Sequence, residues 1–117
     1  MAFLHGAAIC EAEGVPLDTY LSVALKPVMP GLVTDTRQTC VEMIQKSSYA
    51  GSQATLDIWA AGIGHFVQFS RESGVDSTYP EGVLGYLQRA RAQGHGQDEV
   101  AAVFECFRKR DGRAKTE

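Results

Sequence analysis

Hydrophobic positions recur at three- and four-residue intervals along most of the chain, the period of helices rather than the alternation of strands. Leu4, Ala8 and Ile9 predict a helix from Ala2 to Glu13, with Gly14 as its stop. Asp18 to Leu25 reads as a short helix closed by Pro27, and Pro30-Gly31 as a corner. Leu32, Val33, Thr36, Cys40, Met43 and Ile44 predict a helix from Leu32 to Lys46. Ser47 to Gln53 is a polar loop containing Gly51.

Ala54 to Ser73 is the central element. Leu56, Trp59, Ile63, Phe66, Val67 and Ser70 line one face, and Ile58, Ala61, Gly62 and Phe69 make the rest apolar. Such a helix is expected to be buried on most sides. Gly62 and Gly64 each cost about 1 kcal/mol of helix stability relative to alanine, a cost that suits a close approach by another backbone. Gly74 ends this helix. Thr78-Tyr79-Pro80-Glu81 has the form of a capping box with proline just inside. The helix it opens carries Val83, Leu84, Leu87 and Ala90 and runs to about Gln93. Gly94-His95-Gly96 is a turn, with His95 expected to cap the helix before it. Gln97 to Arg110 is the last helix, with Asp98 and Glu99 in its first turn and Val100, Val103, Phe104 and Phe107 on one face. The expected fold is all-α, a single domain of about six helices over residues 1–110, followed by a basic flexible tail at 111–117.

Composition narrows this picture. A folded monomer of 12.7 kDa keeps about 6,200 Å² of its surface and has about 18,000 Å² when unfolded, so one core is affordable and two are not. With 44% hydrophobic residues, disorder is excluded. The net charge of −3 is uneven, because Arg108, Lys109, Arg110, Arg113 and Lys115 face only Asp111 and Glu117 near the end. No aromatic residue follows Phe107, so a single-strand nucleic-acid platform is not expected. A solvated tail at a helix C-terminus accounts for those cations. Cys10, Cys40 and Cys106 are odd in number and widely spaced. They fit buried free thiols in a reducing, cytoplasmic setting rather than a metal or redox motif. Met1 to Cys10 lacks the basic start of a signal peptide. Ile58 to Ser70 is too short to span a bilayer, so no membrane role is expected.

Candidate chemistry is sparse. Gly62-Ile63-Gly64 lies inside a helix rather than after a strand, so it is not a phosphate loop. His5, His65 and His95 are isolated, and Phe69 stands where a second ligand beside His65 would be needed. His65 therefore reads as a hydrogen-bonded core or interface residue. Ser47, Ser48 and Cys40 have no base at a recognisable spacing. Asp57 reads as a first-turn charge favoured by the helix dipole, and Trp59 more readily as core than as a ligand platform.

A combination of short pieces carries a family resemblance. Thr55-Leu56-Asp57, Ala60-Ala61, His65 and Ser70-Arg71-Glu72 are followed by Gly74-Val75-Asp76, Pro80, Arg89-Ala90 and Gly94-His95-Gly96. Asp98, Ala101-Ala102, Glu105 and Arg108 complete the set, and Ala12 to Val15 and Leu25 to Leu32 extend it upstream. This pattern resembles the C-terminal helical domain of the imine reductase and reductive aminase family, within the 6-phosphogluconate and β-hydroxyacid dehydrogenase-like group. The resemblance implies a 6-phosphogluconate dehydrogenase C-terminal-like, dimer-forming fold. In that family a Rossmann domain binds NADPH, two chains swap domains, and a hydride passes to an imine at a site between them. The residues that bind NADP(H) in the full-length family have no counterpart here, so no cofactor is expected on this chain alone. No catalytic proton donor carries over either. By spacing, Met29, Trp59 and Ile63 are the substrate-binding residues the resemblance implies.

Two functions compete at this stage. One is the substrate-pocket and dimerisation domain of an NADPH-dependent imine reductase-like oxidoreductase, inactive by itself. The other is a freestanding helical module that forms homodimers or pairs with a Rossmann-domain-containing relative. The first helix favours a partner in either case, because its apolar face starts without a capping residue.

Overall fold

The computed structural model describes residues 1–31, 37–51 and 53–108. Seven α-helical segments, joined by π and 3₁₀ turns, make up the described residues, and no extended strand occurs among them. The expected positions Leu32, Val33 and Thr36 lie outside the described residues, as do Arg110 and the basic tail.

Helix α1 spans Ala2–Ala12. It ends where Gly14 takes φ +75°, a conformation that a side chain disfavours. Helix α2, Leu17–Thr19, runs directly into a π-helical stretch, Tyr20–Leu25, and then into α3, Lys26–Gly31. The expected stop at Pro27 is therefore not a stop. Proline removes a backbone donor and crowds the preceding turn. Here the Lys26 N–H bonds to Leu21 O, five residues back, and this wider turn lets the chain continue past Pro27 and Pro30. Helix α4 is Arg37–Lys46.

Helix α5, Leu56–Glu72, is the longest. Its first amides have no partner within the helix, and each finds one outside it. Leu56 N–H donates to Asp98 O at 2.8 Å and Asp57 N–H to Gly96 O at 3.0 Å. Ile58 N–H donates to Thr55 Oγ1 at 3.3 Å. The Asp57 carboxylate then accepts Arg91 Nε at 2.6 Å and Gln97 Nε2 at 3.0 Å. Asp57 does sit at the dipole's positive end, but its main work is to clamp the 91–97 turn.

That stitching explains the last helix. A continuous helix from Gln97 was expected. The carbonyls of Gly96 and Asp98 serve α5 instead, so they cannot close helical bonds of their own. The chain becomes helical only at Val100–Val103, as a 3₁₀ turn, and α7 is just Phe104–Phe107. His95 likewise turns forward rather than back: its Nδ1 donates to Asp98 Oδ2 at 2.8 Å.

Helix α6, Thr78–Ala90, continues as a π turn, Arg91–His95, which Gly94 ends at φ +96°. Its cap position is Ser77, one residue before the expected Thr78. The Asp76 carboxylate, a stronger acceptor than a hydroxyl, takes the Thr78 N–H at 2.9 Å. Ser77 Oγ donates to Glu81 Oε2 at 2.9 Å, and Glu81 also pairs with Arg71. Hydrogen bonds from Thr78 hold Asp76 below the usual carboxylate pKa. The Ser77 hydroxyl, then Arg71, do the same for Glu81. Both shifts are downward on folding, so this stabilisation is present above the ordinary carboxylate range and is lost as pH falls through the lowered values. Thermal melts between pH 6 and pH 2.5 should therefore show the wild-type protein losing stability more steeply with acid than Asp76→Asn. Identical acid slopes would rule out Asp76 as a contributor.

The core lies between α5, α6 and the 100–107 segment. Tyr49, Leu56, Ala60, Leu87, Ala90, Ala101 and Ala102 are buried there, with Cys40, Met43 and Ile44 of α4 packed against them. The Tyr49 hydroxyl donates to Glu105, and burial, then that carboxylate, raises its pKa. The three cysteines are free but only partly buried.

Helix α5 is less buried than its sequence predicts. Leu56, Ala60, Val67 and Ser70 face inward. Trp59 and Phe66, expected on that face, are exposed, as are Ile58 and Phe69. Among the described residues, no atom outside α5 approaches within 4 Å of where a Cβ at Gly62 or Gly64 would stand, so the close backbone approach that would suit these glycines is not found among them. Helix α1 buries no residue at all.

Candidate functional site

A cavity of about 400 Å³ opens between α1, the π stretch, α5 and α6. Ile9, Gly6 and Cys10 of α1 form one wall, Ile63 and Phe66 of α5 the floor, and Pro80 and Val83 of α6 the far side. Polar residues are few in the lining: His5, Tyr20 and Tyr79. An apolar pocket with a small number of placed polar groups is the usual form of a small-molecule site.

The chain positions these groups by side-chain ties that its sequence pattern does not reveal. His5 Nε2 donates to Asp76 O at 3.1 Å and lies 3.3 Å from Ser70 Oγ. Ser70 is fully buried, and its hydroxyl donates back to Phe66 O at 2.7 Å. The single His5 Nε2–H is thus shared between Asp76 O and a lone pair of Ser70 Oγ. Ser73 Oγ donates to Glu13 Oε1 at 2.6 Å. Together these bonds hold α1 against the α5–α6 corner and keep the cavity open between them. Tyr20 stacks on Phe3, with ring centroids 5.9 Å apart. No spacing rule links residues 5, 70 and 76, so only the fold brings them together.

The three residues expected to bind substrate have separate fates. Ile63 lines the cavity. Trp59 is on the exposed side of α5, outside the cavity wall, and 44% of its surface is exposed. Met29 belongs to α3, but its side chain lies outside the described residues. His65 is exposed on α5 beside Gly62, where Phe66 and Phe69 frame a shallow depression. Among the described residues no group of three or more His, Cys, Asp or Glu side chains has the geometry to hold a metal ion.

A family model for the NADPH-dependent reductive aminase-like C-terminal domain matches residues 1–109. The chain belongs to that family. Solved structures agree with this assignment. A reductive aminase from Aspergillus terreus, in complex with NADPH and ethyl levulinate, superposes with a TM-score of 0.83 at 24% identity, over 92% of this chain and 37% of that one. An imine reductase from a Pseudomonas species gives 0.82 at 26% identity, over 92% and 36%. The Bacillus cereus imine reductase BcSIRED gives 0.81 at 24%, over 91% and 36%. No curated protein matches the chain. This reductive aminase-like domain therefore spans little more than a third of the length of those relatives.

The cavity is lined mostly by apolar residues, and Gly62-Ile63-Gly64 lies within α5 rather than at a helix start. Among the described residues, Arg71 pairs with Glu81, Arg91 with Asp57 and Arg108 with Glu105, while Arg89 lies over the Tyr86 ring. No helix among the described residues is long and apolar enough to cross a membrane.

Proposed function

We propose that this chain is the substrate-pocket and dimerisation half of an NADPH-dependent imine reductase or reductive aminase-like oxidoreductase. The cavity over Ile63 carries the reading. It is apolar, of small-molecule size, and walled by a helix, α1, that buries nothing of its own. A ketone or imine carbon skeleton would lie against Ile63 and Val83, and the few polar side chains of the lining, Tyr79 among them, would orient its polar end. The hydride donor belongs to a dinucleotide-binding domain, which a partner chain would supply, in a reducing cytoplasmic setting. This chain's part is to bind, orient and exclude water.

Two measurements test this. Cyclohexanone added to the isotope-labelled chain should shift the Ile63 and Val83 methyl signals and leave Val103, in the core, unmoved. Unchanged methyl signals at saturating ketone would overturn the pocket assignment. In parallel, NADPH titrated onto the isolated chain should give no saturable binding below the millimolar range, and binding at micromolar concentration would sink the division of labour.

The second reading is a helical interaction module without catalysis, and the unburied α1 favours it. The two separate on mixing with a Rossmann-domain-containing relative: NADPH-dependent imine reduction above that relative's own level supports the first.

A further inference from the structure

We infer that Tyr20, seated in a notch that Gly6 leaves in α1, limits the size of the molecule that the cavity accepts. The inference deepens the pocket reading of the proposed function and rests on it.

The notch shows in the contrast among helix glycines. A glycine inside a helix destabilises it relative to alanine. Gly62, Gly64, Gly82 and Gly85 of α5 and α6 have nothing within 4 Å of where a Cβ would stand. Gly6 differs: a Cβ there would overlap the Tyr20 hydroxyl and stand 3.0 Å from its Cζ. Gly6 is not among the glycines with positive φ, so backbone conformation does not demand it. Room for the phenol does. Both Gly6 and Tyr20 line the cavity, so the seat of the ring fixes where that wall stands.

Tyr20 acts here by bulk. It is half-buried and lies outside the buried core cluster, so its ring answers to the cavity rather than to the core. Phe3 stacks on it. Its hydroxyl donates to Phe3 O at 3.4 Å, which is long for a hydrogen bond between oxygens and therefore weak. Tyr20 also begins the π-helical stretch Tyr20–Leu25, and such wide turns are frequent at functional sites.

The rest of the wall sets the chemistry of what is measured against the ring. Among the described residues that line the cavity there is no Asp, Glu, Lys or Arg. The His5 Nε2–H is already shared between Asp76 O and Ser70 Oγ. A charged ligand would lose its hydration there with no counter-charge to meet it. The molecule that Tyr20 limits is therefore an uncharged ketone or imine whose carbon skeleton abuts the phenol.

Two ketones of different length test this. Cyclohexanone and 4-phenylcyclohexanone are titrated onto the isotope-labelled full chain and read at the Ile63 methyl signals. Tyr20→Ala should lower the ratio of their dissociation constants, the longer ketone over the shorter, at least tenfold. Tyr20→Phe keeps the ring and should leave the ratio within twofold. Gly6→Ala deletes nothing but unseats the ring, and should move the ratio at least threefold. In the Tyr20→Ala background, where no ring remains, Gly6→Ala should not move it, and this non-additivity is the mark of direct contact. Far-UV circular dichroism confirms that each variant keeps its helices, and general loosening would weaken both ketones together without changing the ratio. A ratio unmoved by Tyr20→Ala while cyclohexanone still binds overturns the size limit and leaves the pocket standing. A Gly6→Ala effect that is absent, or that persists without the ring, overturns the notch. Cyclohexanone that fails to shift Ile63 in the wild-type chain overturns both this inference and the pocket.

Discussion

Leu56→Ala should lower the unfolding free energy by about 2–5 kcal/mol. Leu56 is fully buried and stands at the first turn of α5, where two structural tasks meet. Its side chain packs with Ala60, Leu87 and Ala90 in the core. Its amide is held by Asp98 O, so the backbone around it is fixed from both sides. A site so constrained cannot collapse easily around a lost isobutyl group. The cost should therefore fall in the upper part of the range, where a cavity remains. Against a total stability of about 5–15 kcal/mol, that is a large fraction. Urea unfolding followed by far-UV circular dichroism measures it. A loss below about 1 kcal/mol would mean that the α5 start is loosely packed and that the core has been wrongly placed.

The helical class and most helix ends were legible because they depend on local physics. Gly14, Gly74 and Gly94 all adopt positive φ, and each was expected as a stop from its residue type alone. The α6 stripe, with Leu87 and Ala90 buried and Val83 and Leu84 half-buried, follows the three-to-four rule. Errors arose where a distant segment intervened. Pro27 failed to end a helix because the preceding turn widened. The last helix was shortened because residues 96–98 give their carbonyls to a helix some forty positions earlier. Periodicity has no access to such exchanges.

The site was legible only in part, and for a different reason. Ile63 was reached through family spacing and does line the cavity. The ties that set the cavity's width, His5 with Ser70 and Asp76 and Glu13 with Ser73, join residues about sixty to seventy apart. The prediction that α5 would be buried erred in an informative way. Its composition is that of a buried helix, but in this chain only the strip through Leu56, Ala60, Val67 and Ser70 is covered.

Small residues carry the second large effect. Ala102→Leu should destabilise the fold by about 1–3 kcal/mol, or prevent folding if the segment cannot shift. The sequence pattern placed Val100, Val103, Phe104 and Phe107 on one face. Val100 and Val103 do pack half-buried against the core, but the buried residues are Ala101 and Ala102, and Phe107 is 60% exposed with its ring against Tyr86. The 3₁₀ turn at Val100–Val103 is the cause: three residues per turn aim different side chains inward than an α-helix would. Ala90 of α6 and Ala102 are both fully buried in the same cluster. A leucine at 102 needs room for three more carbons at a position that is already fully enclosed. Ala102→Gly is the useful companion, because it removes the methyl without adding bulk. Overpacking predicts that leucine costs more than glycine in urea unfolding. If Ala102→Leu is neutral or stabilising while Ala102→Gly is costly, the segment is held at a distance from α6, and the 3₁₀ turn has slack that the alanines do not fill.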